Sequence, residues 1–318
     1  MNATRTGAMP LARGTQRGFV LFTMCLGVLI AQVDTSVVNL ALAPIGASLH
    51  AEVGALQWVV DAYNLVYASL LLTAGTLGDF YGRRRIFGFG VGIFTAGSLL
   101  CGLAPDQTVL IAGRAVTGLG AALLVPTSLA ILAVTYSDAH ERAHAIGIWA
   151  SCYGVALALG ASLGGLLVAV AGWRSVFIMT VTIGALALAM MLKVLPETRD
   201  AAGRRLDLMG QTLAILTLAL LTLAAIDGPR WDALPVAVCL GAAVLAAAVF
   251  LVVEARTEGA LVPLAILRRP GLLATMPVAS LMTFGMYAML FLTPLYLQQQ
   301  HGASVVAAAF ELLPPSVR

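Results

Sequence analysis

The sequence predicts an all-α polytopic membrane protein, and three observations carry that prediction. Of 318 residues, 60% are hydrophobic and only 10% are charged, against about 25% charged in an ordinary soluble domain. The apolar residues gather into nine runs, each close to the ~20 residues that carry a helix across a bilayer core. The gaps between runs are short and hold most of the Lys and Arg. A net charge of +3, spread over those gaps, gives no reason to expect a nucleic-acid partner. The four cysteines, Cys25, Cys101, Cys152 and Cys239, all fall inside apolar runs without paired spacing. They read as small core residues, with no disulfide and no metal site.

The nine runs lie near 18–43, 55–77, 86–104, 108–134, 144–167, 174–195, 207–226, 234–253 and 272–297. The first is too long for a signal-peptide core and leads into Asp34 and Asn39, not a small-residue cleavage site. The second ends in a Gly-punctuated turn, Gly75-Thr76-Leu77-Gly78-Asp79-Phe80-Tyr81-Gly82-Arg83-Arg84-Arg85. The fourth carries Arg114. The fifth is glycine-rich, with Gly147, Gly154, Gly160, Gly164 and Gly165. Small residues at these spacings let helix backbones approach and tolerate bending, so this run reads as a packing seam and a hinge. Gly160-Ala161-Ser162-Leu163-Gly164 also matches GxSxG, but that nucleophile elbow needs a strand before it and a helix after it. Here it lies inside a helical run, about five turns from His140 and His144, so no enzyme is expected.

Six runs precede a charged connector, Pro196 to Asp207. A pair follows around Gly228-Pro229-Arg230-Trp231, then a second connector, Glu254 to Pro270, leads into the ninth run. Short connections make successive helices antiparallel neighbours. The expected units are a tail (1–17), a six-helix bundle (18–196), two linking helices with their loops (197–270) and the first helix of a second bundle (271–318). Val305 to Leu313 supplies about half a further span before Pro314-Pro315.

Orientation follows from the basic residues. Arg5, Arg13, Arg17, Arg83, Arg84, Arg85, Arg142, Lys193, Arg199, Arg204, Arg205, Arg256, Arg268 and Arg269 fall on one side, and Arg174 and Arg230 on the other. That asymmetry places the N-terminus in the cytoplasm.

An ionisable residue inside a span is costly and is a functional candidate by default. Asp34, Asp61 and Arg114 qualify, all in the outer half by residue counting. A carboxylate held between burial and a nearby arginine can load and release a proton as its surroundings change. A structural ion pair between Arg114 and either aspartate is the competing reading. At 100° per residue Gln32, Thr35, Ser36 and Asn39 share one face of the first helix while Asp34 points away from it, toward a neighbouring helix. Asp61 and Asn64 share a face of the second. Asn39 and Asn64 are candidates for the substrate cavity or for interhelical hydrogen bonds. In the ninth run Tyr287 is a candidate cavity lining for flat cations, and Tyr296 an interfacial anchor.

These residues together carry a family resemblance. Gly75 to Arg85 resembles the loop signature of the major facilitator superfamily, and Leu110 to Ala121, with Arg114, Gly118 and Gly120, resembles its fourth-span arginine motif. Gly154 to Gly165 is similar to the fifth-span glycine motif of its proton antiporters. Val33-Asp34-Thr35-Ser36-Val37-Val38-Asn39, Gln57-Trp58-Val59-Val60-Asp61-Ala62-Tyr63, Arg204-Arg205-Leu206-Asp207-Leu208 and Pro294-Leu295-Tyr296-Leu297-Gln298 resemble the 14-span drug:proton antiporters. Thr117 stands where the family commonly has Gln, and Ala161 where it commonly has Pro.

The resemblance implies two six-helix bundles around a cavity that opens alternately to each side, with two linking helices between them. It implies export of lipophilic, often cationic small molecules by inward proton flow, in the cytoplasmic membrane, by a chain monomeric at full length. No cofactor is implied beyond the proton gradient. Asp34 and Asp61 become protonation or cation-binding candidates and Arg114 a proton-relay arginine. Gly75, Asp79, Gly82, Arg83 and Arg84 become a latch that grips the opposite bundle. A fourteen-span pattern leaves five spans beyond the ninth, so the chain is expected to be C-terminally truncated. Three alternatives stand beside this reading: an inactive remnant, a chain that works by pairing with a second copy, and an exporter of another small-molecule class.

Overall fold

Helices account for nearly all of the computed structural model, which describes residues 14–198, 207–257 and 270–311. Arg5, Arg13, Arg199, Arg204, Arg205, Arg268 and Arg269, used above for orientation, lie outside the described residues, as do Leu206 and the end of the apolar stretch after Glu311. The long helices are α1 (Gly14–Leu49), α2 (Val53–Tyr81), α3 (Arg83–Gly102), α4 (Gln107–Thr135), α5 (Ala139–Ala171), α6 (Arg174–Val194), α7 (Leu208–Ile226), α8 (Ala233–Arg256) and α9 (Pro270–Gln299). A short α10 (Val305–Glu311) follows, and a 3₁₀ turn (Gly228–Arg230) joins α7 to α8. No strand occurs among the described residues.

By length and apolarity seven of these helices can cross a membrane, and α2 makes an eighth if its parts Val53–Leu71 and Thr73–Tyr81, bent by 55°, form one span. The sequence reading expected nine. The run not counted among these eight is the fifth, which lies on α5, a continuous 33-residue helix.

Side-chain caps place three of the helix starts. Asp106 accepts from the Val109 N–H at 2.9 Å, Asp138 from the N–H groups of His140 and Glu141 at 2.9 Å, and Asp207 from that of Gly210 at 2.8 Å. Each satisfies donors that the first helical turn leaves free. The backbone N–H of Glu141, with that of His140 behind it, holds the Asp138 carboxyl below the usual carboxylate range.

Within the first six helices, α3 lies on α4 backbone to backbone. A Cβ at Gly97 would meet the Thr117 nitrogen at 2.8 Å, and one at Gly90 the Leu124 nitrogen at 2.7 Å, so this approach requires glycine. In lipid, where apolar burial drives helices together little, such close packing is a main source of association. The expected seam in α5 is narrower than its sequence implied. Gly160 packs on Ser36, and Gly164 on Val37, both of α1; nothing lies within 4 Å of a Cβ at Gly154. Gly165 is buried.

The α7–α8 hairpin docks on α2 through α7. The Trp58 indole donates to Asp227 at 2.9 Å, Arg230 pairs with Glu52 at 2.8 Å, and Gln211 reaches the Ser69 carbonyl and the Thr73 hydroxyl. α9 rests on α1, where Gln298 donates to the Leu40 carbonyl at 3.1 Å, and α10 seats Ala308 against Leu40. Leu281, Met282 and Phe284 of α9 are exposed.

Candidate functional site

Two polar sites lie side by side in this bundle. The first is closed. Asp34 of α1 and Arg114 of α4 are 0% and 1% exposed, and Arg114 Nη1 donates to Asp34 Oδ2. Arg114 Nε donates to the Val59 carbonyl of α2 at 2.9 Å, and its guanidinium carbon lies 4.5 Å from the centre of the Tyr63 ring. Thr117 Oγ1 is 3.5 Å from Arg114 Nη1 and donates to the Arg114 carbonyl at 2.8 Å. The pocket closes because α2 presses on α4 at Gly118, where a Cβ would stand 3.1 Å from the Tyr63 Cα. Asp34 Oδ1 has no hydrogen-bond partner among the described residues. Asp34 therefore faces α4, and of the two aspartates it is the one that Arg114 engages.

The second site is open. A cavity of about 320 Å³ lies between α1 and α2 on one wall and α9 on the other. Asn39, Gln57, Val60, Asp61 and Asn64 line the first wall, and Thr283, Phe284, Tyr287, Ala288 and Phe291 the second. Asn64 hydrogen-bonds the Asp61 carboxylate through its side chain. Asn39 donates to the Thr35 carbonyl at 2.7 Å, and its Oδ1 is without a partner among the described residues. The arrangement offers one carboxylate and several amides opposite an aromatic face. A ligand with an apolar body and a positive or hydrogen-bond-donating group fits both walls.

The α2–α3 corner is bonded to the end of α6. Arg83 reaches Asp79 Oδ1 through Nε at 3.0 Å and Nη2 at 2.7 Å, across Gly82 at φ 107°. Arg83 N–H donates to the Thr198 carbonyl at 2.8 Å, Arg84 Nη2 to that of Leu192 at 3.1 Å, and Arg85 pairs with Glu197 at 3.5 Å. Gly75 has open space beside it, while Gly78 packs on Thr127.

Several residues of these sites were not singled out from sequence. Tyr63, four residues after Val59 and so on the same helix face, supplies the ring under Arg114. Gln57 joins Asp61 in the cavity, and buried Gln211 ties α7 to α2. All four cysteines are free thiols, and Cys25 and Cys152, far apart in sequence, come side by side between α1 and α5. The GxSxG serine lies within helical α5. Among the described residues no cluster of His, Cys, Asp and Glu could hold a metal ion.

Residues 24–316 match the Major Facilitator Superfamily. The chain is 37% identical over 297 residues to the Methylenomycin A resistance protein of Bacillus subtilis (strain 168), covering 93% of this chain and 64% of that protein. It is 38% identical over 291 residues to the Multidrug resistance protein Stp of Mycobacterium tuberculosis (strain CDC 1551 / Oshkosh), covering 91% and 54%. The chain thus spans somewhat over half of these relatives' length. In three dimensions it resembles a bacterial homolog of the human lysosomal transporter Spinster, in an inward-facing, unoccupied conformation, with a TM-score of 0.53 and 19% identity. That match covers 94% of this chain and 73% of the other and speaks to the fold alone. With its helical spans, its two polar sites and these matches, the chain belongs to the Major Facilitator Superfamily: it is a multi-pass membrane protein of a transporter family, not an enzyme.

Proposed function

We propose that this chain carries the substrate- and proton-handling half of a drug exporter of the 14-span drug:proton antiporter type. It acts in the cytoplasmic membrane with its N-terminus in the cytoplasm. Lipophilic, cationic small molecules occupy the cavity with their charge at Asp61 and their apolar body against Tyr287 and Phe291. Asp34, engaged by Arg114, is the proton site, and inward proton flow drives export by alternating access. The Asp79–Arg83 corner serves as the latch that grips a second bundle when the cytoplasmic side is shut. Resistance and multidrug relatives support the drug class, and no cofactor enters.

The observation that carries this reading is the separation of two carboxylates, one locked against an arginine and one open to an aromatic-walled cavity. A cation and a proton then have distinct places and can be exchanged in sequence. The test is ethidium binding to the purified chain in lipid nanodiscs, followed by fluorescence polarisation across neutral pH. Binding tightens as pH rises, because a proton on Asp34 disfavours the cation-bound state even though the two occupy separate sites. Asp61→Asn weakens it, and Asp34→Asn removes its pH dependence. Wild-type binding that is independent of pH sinks the proton coupling, and no binding at all sinks the substrate class.

A further inference from the structure

We propose that Tyr63 is a positioning residue that holds Arg114 on Asp34 and keeps that pair shut off from the cavity; the inference rests on the reading of Asp34 and Arg114 as the proton site. Three observations converge on it. The Tyr63 ring lies under the Arg114 guanidinium at 4.5 Å, a cation–π arrangement strengthened where water is excluded, and Tyr63 is only 3% exposed. The backbone is set for that contact: the absence of a side chain at Gly118 lets Tyr63 approach α4, and Val59, one turn earlier, accepts from Arg114 Nε. The ring is itself fixed. It stacks on Tyr67 with centroids 5.9 Å apart and planes 13° apart, and its hydroxyl meets the Thr35 side chain, whose residue neighbours Asp34.

Arg114 is therefore held from three directions: a carboxylate on α1, a carbonyl on α2 and a π face on α2. The first attraction vanishes whenever Asp34 takes a proton. The second and third remain, so the arginine stays in place while Asp34 is neutral and is waiting when the proton leaves. Tyr63 also follows Asp61 by two residues and precedes Asn64, both cavity-lining. A shift of α2 that accompanies ligand binding at Asp61 moves the ring with it and so bears on the arginine. The ionisable groups around the pair are Asp34 on α1, Tyr67 on α2 beside the ring, Cys101 on α3 and Arg114 itself on α4.

The test is labelling of Asp34 by dicyclohexylcarbodiimide in the full chain in nanodiscs, read by peptide mass spectrometry, with Asp61 in the same sample as reference. The reagent couples to a neutral carboxyl and not to a carboxylate engaged by an arginine. Tyr63→Leu keeps an apolar filler without a π face and raises Asp34 labelling relative to Asp61 by about five- to thirtyfold. Tyr63→Phe keeps the ring and leaves labelling as in the wild type. Tyr63→Met, a flexible gap-filler, replaces the leucine variant if that one is not monodisperse, with the same expectation. If the leucine and methionine variants label as the wild type while Arg114→Gln labels faster, Tyr63 does not hold the arginine and the inference falls with the ion-pair reading intact. If Tyr63→Phe rises with Tyr63→Leu, the hydroxyl and not the ring does the holding, and the inference is again overturned. If Arg114→Gln itself labels as the wild type, the proton-site reading fails and takes the inference with it.

Discussion

Asp34 and Asp61 are residues of the same type in adjacent helices, and the fold treats them oppositely. Asp34 is fully buried against a guanidinium. Asp61 borders a cavity and has an amide for a neighbour. The difference arises from helix pairing. α1 and α2 both touch α4, but Arg114 points between them to Asp34 and the Val59 carbonyl. The other wall of Asp61's surroundings is α9, which offers aromatic rings and no cation. One carboxylate is thus bound into the architecture, while the other is left for a ligand.

The largest effect that would break this comparison is expected at Arg114. Arg114→Leu leaves the Asp34 carboxylate buried without its partner, a change that costs about 3–5 kcal/mol where a buried pair is halved. The double variant Asp34→Leu with Arg114→Leu recovers most of that loss, because no orphan charge remains. Thermal unfolding in detergent, followed by circular dichroism, measures both. An Arg114→Leu protein as stable as the wild type would show that the pair does not hold α1, α2 and α4 together.

Gly118→Ala comes next. Its methyl group would push on the Tyr63 backbone and move Val59 and the ring away from Arg114. Overpacking of this kind costs about 1–3 kcal/mol. The same unfolding measurement applies, and Gly154→Ala, which meets open space, is the matched control with no loss. Equal losses at the two glycines would remove α2–α4 contact as the reason the first site is closed.

Sequence reasoning reached the components of both sites and not their pairing. Asp34, Asp61 and Arg114 were visible because charge inside an apolar run is costly anywhere. Helical angles further separated Asp34 from the Thr35–Asn39 face. Which aspartate meets the arginine depends on the distances among α1, α2 and α4, and the α2–α4 approach is set at Gly118. The run of small residues pointed to α5, although α3 holds as many glycines in a shorter helix, because such a run does not say which face has a neighbour. Tyr63 escaped notice for a related reason. In an apolar span an aromatic reads as packing or anchoring until the cation above its ring is placed. The cavity was foreshadowed by Asp61, Asn64, Asn39 and Tyr287, all of which line it or border it, whereas its volume and the role of Gln57 required α9 to be docked on α1.

Asp61→Asn sharpens the comparison from the other side. It leaves stability within about 0.5 kcal/mol, as expected where no buried feature is disturbed. Yet ethidium binds about tenfold more weakly, which corresponds to ~1.4 kcal/mol. Binding and unfolding measured on the same preparation separate the two effects. A large stability loss at Asp61 would mean that it too is part of the architecture.

The smallest effect expected belongs to the aromatic wall. Tyr287 presents its ring to the cavity opposite Asp61, so Tyr287→Phe keeps the π face and leaves ethidium affinity unchanged. Tyr287→Leu loses the face and weakens binding by about two- to fivefold, the size of an exposed cation–π contact of ~0.5–1 kcal/mol. The pair of variants discriminates because both retain apolar bulk and differ in the ring alone. If Tyr287→Phe weakened binding as much as Tyr287→Leu, the hydroxyl would be the recognised group, and the cavity would select for hydrogen-bonding partners ahead of flat cations. If neither variant changed affinity while Asp61→Asn did, the ligand would sit against α1 and α2 alone, with α9 a bystander to binding.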